Sequence, residues 1–206
     1  ADLDQYANVI IRKTDDLRRI VDEFSKFARM PEPDRREADL TQVLRDAVLL
    51  QQSGQPDVKI LADIPGDPVL LEFDTTMLSQ ALTNLIKNAG EATETFVEKT
   101  KPDGYVPEVK IEMTVQADLV VIRISDNGIG LPPDRARLFE PYVTTRAQGT
   151  GLGLPIVKKI IEEHGGTLAL LDAALFDGNA HAGAMAEMSL PRAPLKKGRK
   201  TGQGVR

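Results

Sequence analysis

Asp126-Asn127-Gly128-Ile129-Gly130 and, after a loop of about twenty residues, Gly149-Thr150-Gly151-Leu152-Gly153-Leu154 are two glycine clusters around which the chain is organised. Glycine lets a ligand approach the backbone and permits positive φ, and a helix N-terminus presents unpaired N–H groups to an anion. The second cluster opens an apolar-periodic helix over 151–164, with Leu152, Leu154, Ile156, Val157, Ile160 and Ile161 on one side. Two such clusters bracketing a long loop predict a nucleotide pocket with a lid.

Upstream of the first cluster, Val109–Val115 and Leu119–Ser125 alternate apolar and polar residues, and Gln116-Ala117-Asp118 separates them. That pattern predicts a hairpin whose second strand delivers Asp126 at its carboxyl end, where α/β sheets commonly place ligand-binding groups. Before it, Asp74 caps a helix carrying Met77, Leu78, Ala81, Leu82, Leu85, Ile86 and Ala89. Asn84, Asn88, Glu91 and Thr95 fall at i, i+4, i+7 and i+11 of that helix, so they share one stripe. A solvated face accounts for charged residues there, but asparagine is a modest helix former and two of them a turn apart call for another reason. A carboxamide oxygen is a neutral hard ligand able to complete the shell of a magnesium ion already carried by phosphates.

Working outward to the amino end, residues 3–28 show helical apolar spacing through Tyr6, Ile10, Leu17 and Val21, and stop at Met30-Pro31-Glu32-Pro33. This fits a bundle or coiled-coil arm better than a core helix. Asp39-Leu40-Thr41-Gln42 starts a further helix with Leu40, Val43, Leu44, Ala47 and Val48 inward. Val58–Ala62 and Val69–Phe73 predict strands around the turn Pro65-Gly66-Asp67-Pro68, and Lys99–Pro107 predicts a polar loop. After the second glycine cluster, His164-Gly165-Gly166 ends the helix and strands near Thr167–Leu171 and Ala184–Leu190 close the sheet. From Arg192 the composition turns basic, without acidic residues or apolar pattern, and predicts a disordered tail.

Composition narrows the function classes. The 206 residues, 41% hydrophobic and 28% charged, suffice for one core with a helical appendage. A net charge of −5 gives no reason to expect a nucleic-acid partner. No apolar run is long enough to cross a bilayer, and no secretory signal pattern is present. The lack of cysteine excludes disulfides and thiolate metal sites, and two histidines, His164 and His181, leave little for a histidine-based zinc site. Neither a dinucleotide fingerprint nor a Gly-Lys-Ser/Thr phosphate loop is present.

At these residues the chain resembles a known family. Asn84-Leu-Ile-Lys-Asn88-Ala-Gly-Glu-Ala92 is similar to the N box, Asp126–Gly130 to the first G box, Leu138-Phe139-Glu140-Pro141 to the F box and Gly149–Leu154 to the second G box of sensor histidine kinases. These kinases belong to the wider superfamily of gyrase, the Hsp90 chaperones and MutL. The exit of the arm, Asp22-Glu-Phe-Ser-Lys-Phe-Ala-Arg-Met-Pro-Glu-Pro33, is similar to that of nitrogen-regulation kinases of the NtrY type. The resemblance implies an α/β sandwich in which a mixed, mostly antiparallel sheet is covered on one face by about three helices. It also implies a division into a dimerisation helix (1–30), a linker (31–38), a catalytic ATP-binding domain (39–191) and a basic tail (192–206).

By position, Asp126 would accept the adenine amino group, with Gly128 and Gly130 letting the base lie on the backbone. Asn88 would ligate Mg2+, with Asn84 and Lys87 near the phosphates. Gly149, Thr150, Gly151, Leu152 and Gly153 would hold the phosphate side, with Thr144, Thr145 and Arg146 as lid contacts; Phe139 is expected to anchor the lid on the core rather than to touch ligand. The implied reaction is phosphoryl transfer from ATP to a histidine on a dimerisation helix outside this sequence, for relay to a response regulator receiver domain. The partner is the kinase's own hairpin in a homodimer, and the fragment is the cytoplasmic part of an inner-membrane sensor.

Two other classes share the motifs. An ATP-hydrolysing superfamily member would carry a water-activating glutamate one turn before the magnesium asparagine; Asn84 occupies that position, and an amide is no general base. A non-catalytic nucleotide-binding or dimerisation scaffold would keep the pocket without the transfer. His164, before two glycines, and His181, in a loop, are expected to be structural or surface groups.

Overall fold

The computed structural model describes residues 2–100, 103–141, 151–178 and 181–192. A first helix, α1 (Asp2–Ala28), leaves Tyr6, Ile10, Leu17 and Val21 exposed, so the stripe seen in the sequence stays uncovered within this chain. A short strand, β1 (Arg36–Asp39), leads into α2 (Leu40–Gly54), and the expected linker therefore ends in sheet structure. Asp39 caps α2 by accepting the Thr41 N–H at 2.9 Å and the Thr41 hydroxyl at 2.6 Å. Burial by itself would raise its pKa, but the Thr41 hydroxyl and the N–H groups of Val69, Thr41 and Gln42 together hold it below the usual value.

Two strands follow, β2 (Lys59–Asp63) and β3 (Leu70–Phe73), and they part company. β3 pairs antiparallel with β1 in a small two-stranded sheet, while β2 joins the main sheet. The long helix α3 (Thr75–Thr100) runs into the stretch expected as loop. Its first turn is capped by Asp74, which accepts the Met77 N–H at 3.0 Å. β4 (Glu108–Val115) and β5 (Leu119–Asp126) form the expected hairpin, with Val109 opposite Asp126. A 3-10 turn at Arg135–Phe139 lies in the expected lid loop, and α4 (Gly153–Glu163), β6 (Thr167–Asp172) and β7 (Ala184–Pro191) complete the domain. The basic tail past Arg192 lies outside the described residues.

The main sheet has five strands in the order β2-β4-β5-β7-β6; β2 and β4 are parallel and the other pairs antiparallel. Alternation puts Val109, Ile111, Met113, Val120, Ile122, Ile124, Met188 and Leu190 on one buried face. Against it pack the apolar sides of α2, α3 and α4, including Leu44, Leu82, Ile86, Val157 and Ile160, each fully or nearly fully buried. Each such side chain contributes about 1.5–3 kcal/mol by leaving water. This core fixes α3 and α4 side by side over the carboxyl end of β5, where both glycine clusters meet the helices.

Candidate nucleotide site

Asp126 ends β5 and is almost wholly buried, at 4% exposure. Its Oδ1 accepts the Gly128 N–H at 2.8 Å and the Ala184 N–H at 3.2 Å, so two backbone donors from separate elements orient the carboxylate. Asn127 ties the end of β5 to the start of β4: its Oδ1 accepts the Glu108 N–H at 2.9 Å, and its Nδ2 donates to the Val106 carbonyl at 2.9 Å. The Tyr105 hydroxyl donates to both the Asn127 Oδ1 at 2.8 Å and the Asn127 carbonyl at 3.0 Å. Burial and the nearby Asp126 charge push the Tyr105 pKa above its ordinary value, so the phenol stays a donor.

The same loop lies directly on α3. The Ile129 N–H donates to the Ala92 carbonyl at 3.3 Å, and a Cβ added at Gly128 would stand 2.4 Å from the Ala92 carbonyl carbon. Gly130 takes a φ of +74° and packs against the backbone of Ala182. One helical turn before Ala92 is Asn88, and one turn earlier Asn84; both are half-buried. Lys87 is more exposed, with its ammonium 3.7 Å from Glu91.

From the other side, Gly151 turns the chain with a φ of +69° and Leu152, fully buried, pins the start of α4. Among the described residues, a Cβ on Gly153 would find one neighbour, the Asn88 Nδ2 at 4.0 Å, which is ordinary contact. The structure thus seats Gly128 and Ile129 on Ala92 and Gly153 beside Asn88, one turn apart on α3, with Asp126 and Gly130 flanking the first contact in the chain and Gly151 and Leu152 leading into the second. Thr144, Thr145, Arg146, Gly149 and Thr150 lie outside the described residues. Phe139 is half-buried with its ring under the Lys158 ammonium of α4, 4.9 Å from the centroid, in keeping with an anchor.

The far end of α4 is fixed by His164, which is 4% exposed. Its Nε2 accepts the Asp74 N–H at 3.0 Å, and Nδ1 therefore carries the proton that it shares with the Ile160 carbonyl at 2.7 Å. Burial lowers the His164 pKa, with the Arg35 charge adding to it against the raising effect of the Ile160 carbonyl, Asp74 and Glu163. His164 is structural, as expected. His181, half-buried, is likewise structural: its Nε2 lies 2.9 Å from both the Asn127 and Gly128 carbonyls. Sequence reasoning missed this contact, together with Tyr105 and the close approach of Gly183 to the Asp126 backbone. Their signal in the sequence is slight, because the contacts are not local: Tyr105 reaches 22 residues forward to Asn127, and His181 more than fifty residues back to the same turn.

Residues 73–194 match the family described as "Histidine kinase-, DNA gyrase B-, and HSP90-like ATPase". The chain belongs to this family. It is 46% identical over 172 residues to the nitrogen regulation protein NtrY of Azorhizobium caulinodans, covering 82% of this chain and 22% of that protein. Among solved structures, the catalytic domain of histidine kinase ThkA, in a nucleotide-free form, superposes with a TM-score of 0.63 at 27% identity, covering 77% of this chain and 96% of that one. Full-length ShkA in complex with AMPPNP gives a TM-score of 0.68 at 25% identity over 94% of this chain and 39% of that one. The chain spans about a quarter of the length of the curated relatives it matches, 22% and 26% for the first two. The domain is an NtrY-like ATP-binding domain of the sensor histidine kinase kind, and its mixed sheet with helices on one face is the fold of those catalytic domains. No described helix is long and apolar enough to cross a membrane.

Proposed function

We propose that this chain is the catalytic region of a sensor histidine kinase that transfers the γ-phosphoryl group of MgATP to a histidine on a dimerisation helix outside this sequence. The observation that carries this is the seating of the Asp126–Gly130 loop on α3 through Ile129 and Ala92, one turn from Asn88 and the start of α4. Asp126 receives the adenine amino group, and Gly128 and Gly130 leave the base room against the backbone. The N–H groups opening α4, with Gly149, Gly151 and Gly153, face the phosphates. Thr144, Thr145 and Arg146 close from the lid, and Asn84 and Lys87 lie toward the phosphate end.

The donor set fits a magnesium ion carried by the nucleotide. Among the described residues no three His, Cys, Asp or Glu side chains gather as a cage, whereas Asn88 offers the single hard amide oxygen that a phosphate-bound, partly hydrated Mg2+ takes from protein. When bound, the ion would neutralise charge between the β- and γ-phosphates. The protein's own part is positioning: it holds ATP in line while the bond from the γ-phosphorus to the bridging oxygen breaks, ADP departs, and a phosphorus–nitrogen bond forms on the incoming imidazole, which loses its proton. Asn84 leaves no general base where a hydrolase needs one, so the phosphoryl group is spared from water until the acceptor arrives.

Neither histidine of this chain serves as acceptor. Both His164 ring nitrogens are engaged in the interior, and His181 is tied to backbone carbonyls. The full-length protein is a homodimer, with residues 1–30 as one helix of its dimerisation hairpin, 31–38 as the linker, 39–191 as the catalytic domain and 192–206 as a basic tail. It hands the phosphoryl group to a response regulator receiver domain in nitrogen regulation. The domain works on the cytoplasmic face of the inner membrane.

The test is γ-labelled ATP given to this chain with and without a separate hairpin bearing an acceptor histidine. Acid-labile label should appear on the hairpin alone. Strong labelling of this chain by itself, or steady phosphate release without transfer, would overturn the assignment.

A further inference from the structure

Asp126 owes its orientation to two N–H groups, those of Gly128 and Ala184. The first belongs to the peptide unit between Asn127 and Gly128, and the carbonyl of that same unit, that of Asn127, is one of the two that His181 touches. Carbonyl oxygens only accept, so an Nε2 lying 2.9 Å from both the Asn127 and Gly128 carbonyls must carry the proton and donate to each. One side chain thus holds the carbonyl end of a peptide plane whose N–H end grips the carboxylate.

The imidazole is itself fixed. Its ring stacks on Phe96 of α3, with centroids 4.1 Å apart and planes 21° apart, and Phe96 in turn contacts Tyr105 at 4.9 Å. His181 also begins the segment that supplies the second donor. Three residues later the Ala184 N–H reaches Asp126, and between them Gly183 passes so close that a Cβ there would lie 1.9 Å from the Asp126 carbonyl oxygen. A glycine-flanked peptide rotates easily when nothing holds its carbonyl. Tyr105 holds the Asn127 carbonyl from one side and His181 from another.

We infer that His181 is a positioning residue for base recognition: by donating to the Asn127 and Gly128 carbonyls it fixes the peptide that aims the Asp126 carboxylate at the adenine amino group. It touches no reacting atom. It sharpens the choice of base and leaves the phosphate end of the site alone. This rests on Asp126 being the adenine acceptor.

The experiment titrates this chain by calorimetry with MgATP, with magnesium inosine triphosphate, whose base carries an oxygen where adenine carries the amino group, and with magnesium tripolyphosphate, which has no base. His181→Phe keeps a ring against Phe96 and removes the donor; His181→Gln restores an N–H donor. His181→Phe should weaken MgATP binding about tenfold, the scale of a lost pair of hydrogen bonds. It should also shrink the preference for ATP over inosine triphosphate and leave tripolyphosphate binding unchanged, while His181→Gln recovers most of the preference. If His181→Phe does not fold, His181→Ala takes its place with the same expected result. An unchanged ATP preference in the variants, or equal weakening of all three ligands, would overturn the role. Wild-type protein that fails to prefer ATP over inosine triphosphate would instead remove Asp126 as the adenine acceptor, an outcome read before any variant is compared.

Discussion

The two glycine clusters look alike in sequence and differ in what surrounds them. In the first, Gly128 is shut against the α3 backbone: a Cβ would meet the Ala92 carbonyl carbon at 2.4 Å and the Thr93 nitrogen at 2.6 Å. In the second, a Cβ on Gly153 would meet, among the described residues, Asn88 Nδ2 alone, at an ordinary 4.0 Å. The first cluster needs glycine so that the protein can close on itself. No described residue crowds the second at Gly153, beside the amide assigned to the metal-bound phosphates. In the proposed site, packing against α3 therefore fixes the adenine end before any nucleotide arrives.

The comparison can be broken at either cluster. Gly128→Ala should cost about 3 kcal/mol, because the new methyl meets backbone that has nowhere to move. Thermal melts should drop by about 10 °C for a domain of this size, and a variant melting like wild type would contradict the close seating. Gly151→Ala places a Cβ on a residue with a φ of +69°, and should cost about 1–2 kcal/mol, read from urea unfolding. Gly153→Ala should leave stability unchanged or raise it by up to about 1 kcal/mol, since alanine is the better helix former. It should nonetheless weaken MgATP binding in the same sample. Loss of stability there would show the second cluster to be as closed as the first.

Acid probes the anchorage of α4 at the end away from Gly153. His164 is neutral and buried, with its pKa held below the ordinary 6.5, so the unfolded chain takes up a proton first as the pH falls below that value. Its contribution is complete above 6.5 and is lost as the pH drops toward the folded-state pKa. His164→Gln can still accept from Asp74 and donate to Ile160, and should flatten this part of the stability profile. An equally steep profile in the variant would place the acid sensitivity elsewhere.

Much of this was legible in the sequence because it rests on short-range periodicity. The apolar stripe of α3, the Asp39 and Asp74 caps and the alternation of β4 and β5 each declare themselves within a few residues. β1 did not, since Arg36-Glu37-Ala38-Asp39 has no alternation and is a strand through its partner β3. The parallel seam of β2 and β4 was equally hidden, because register between strands some fifty residues apart leaves no local trace. For the proposed site, the spacing of Asp126, Gly128 and Gly130 and of Asn84 and Asn88 supplied the residues assigned to each end. The strap from His181 to Ala184 was missed: the His181 imidazole and the Ala184 N–H reach residues more than fifty positions earlier, and nothing local in a polar loop marks that pairing.

The central claim is that Asp126 and Asn88 serve one nucleotide. Calorimetric titration of ATP with and without magnesium, on this chain and on Asn88→Ala, tests it most directly. Magnesium should tighten ATP binding to the wild-type chain, and Asn88→Ala should lose that increment while keeping the magnesium-free affinity set by the adenine end. Equal magnesium-dependent tightening in the two proteins would contradict the account.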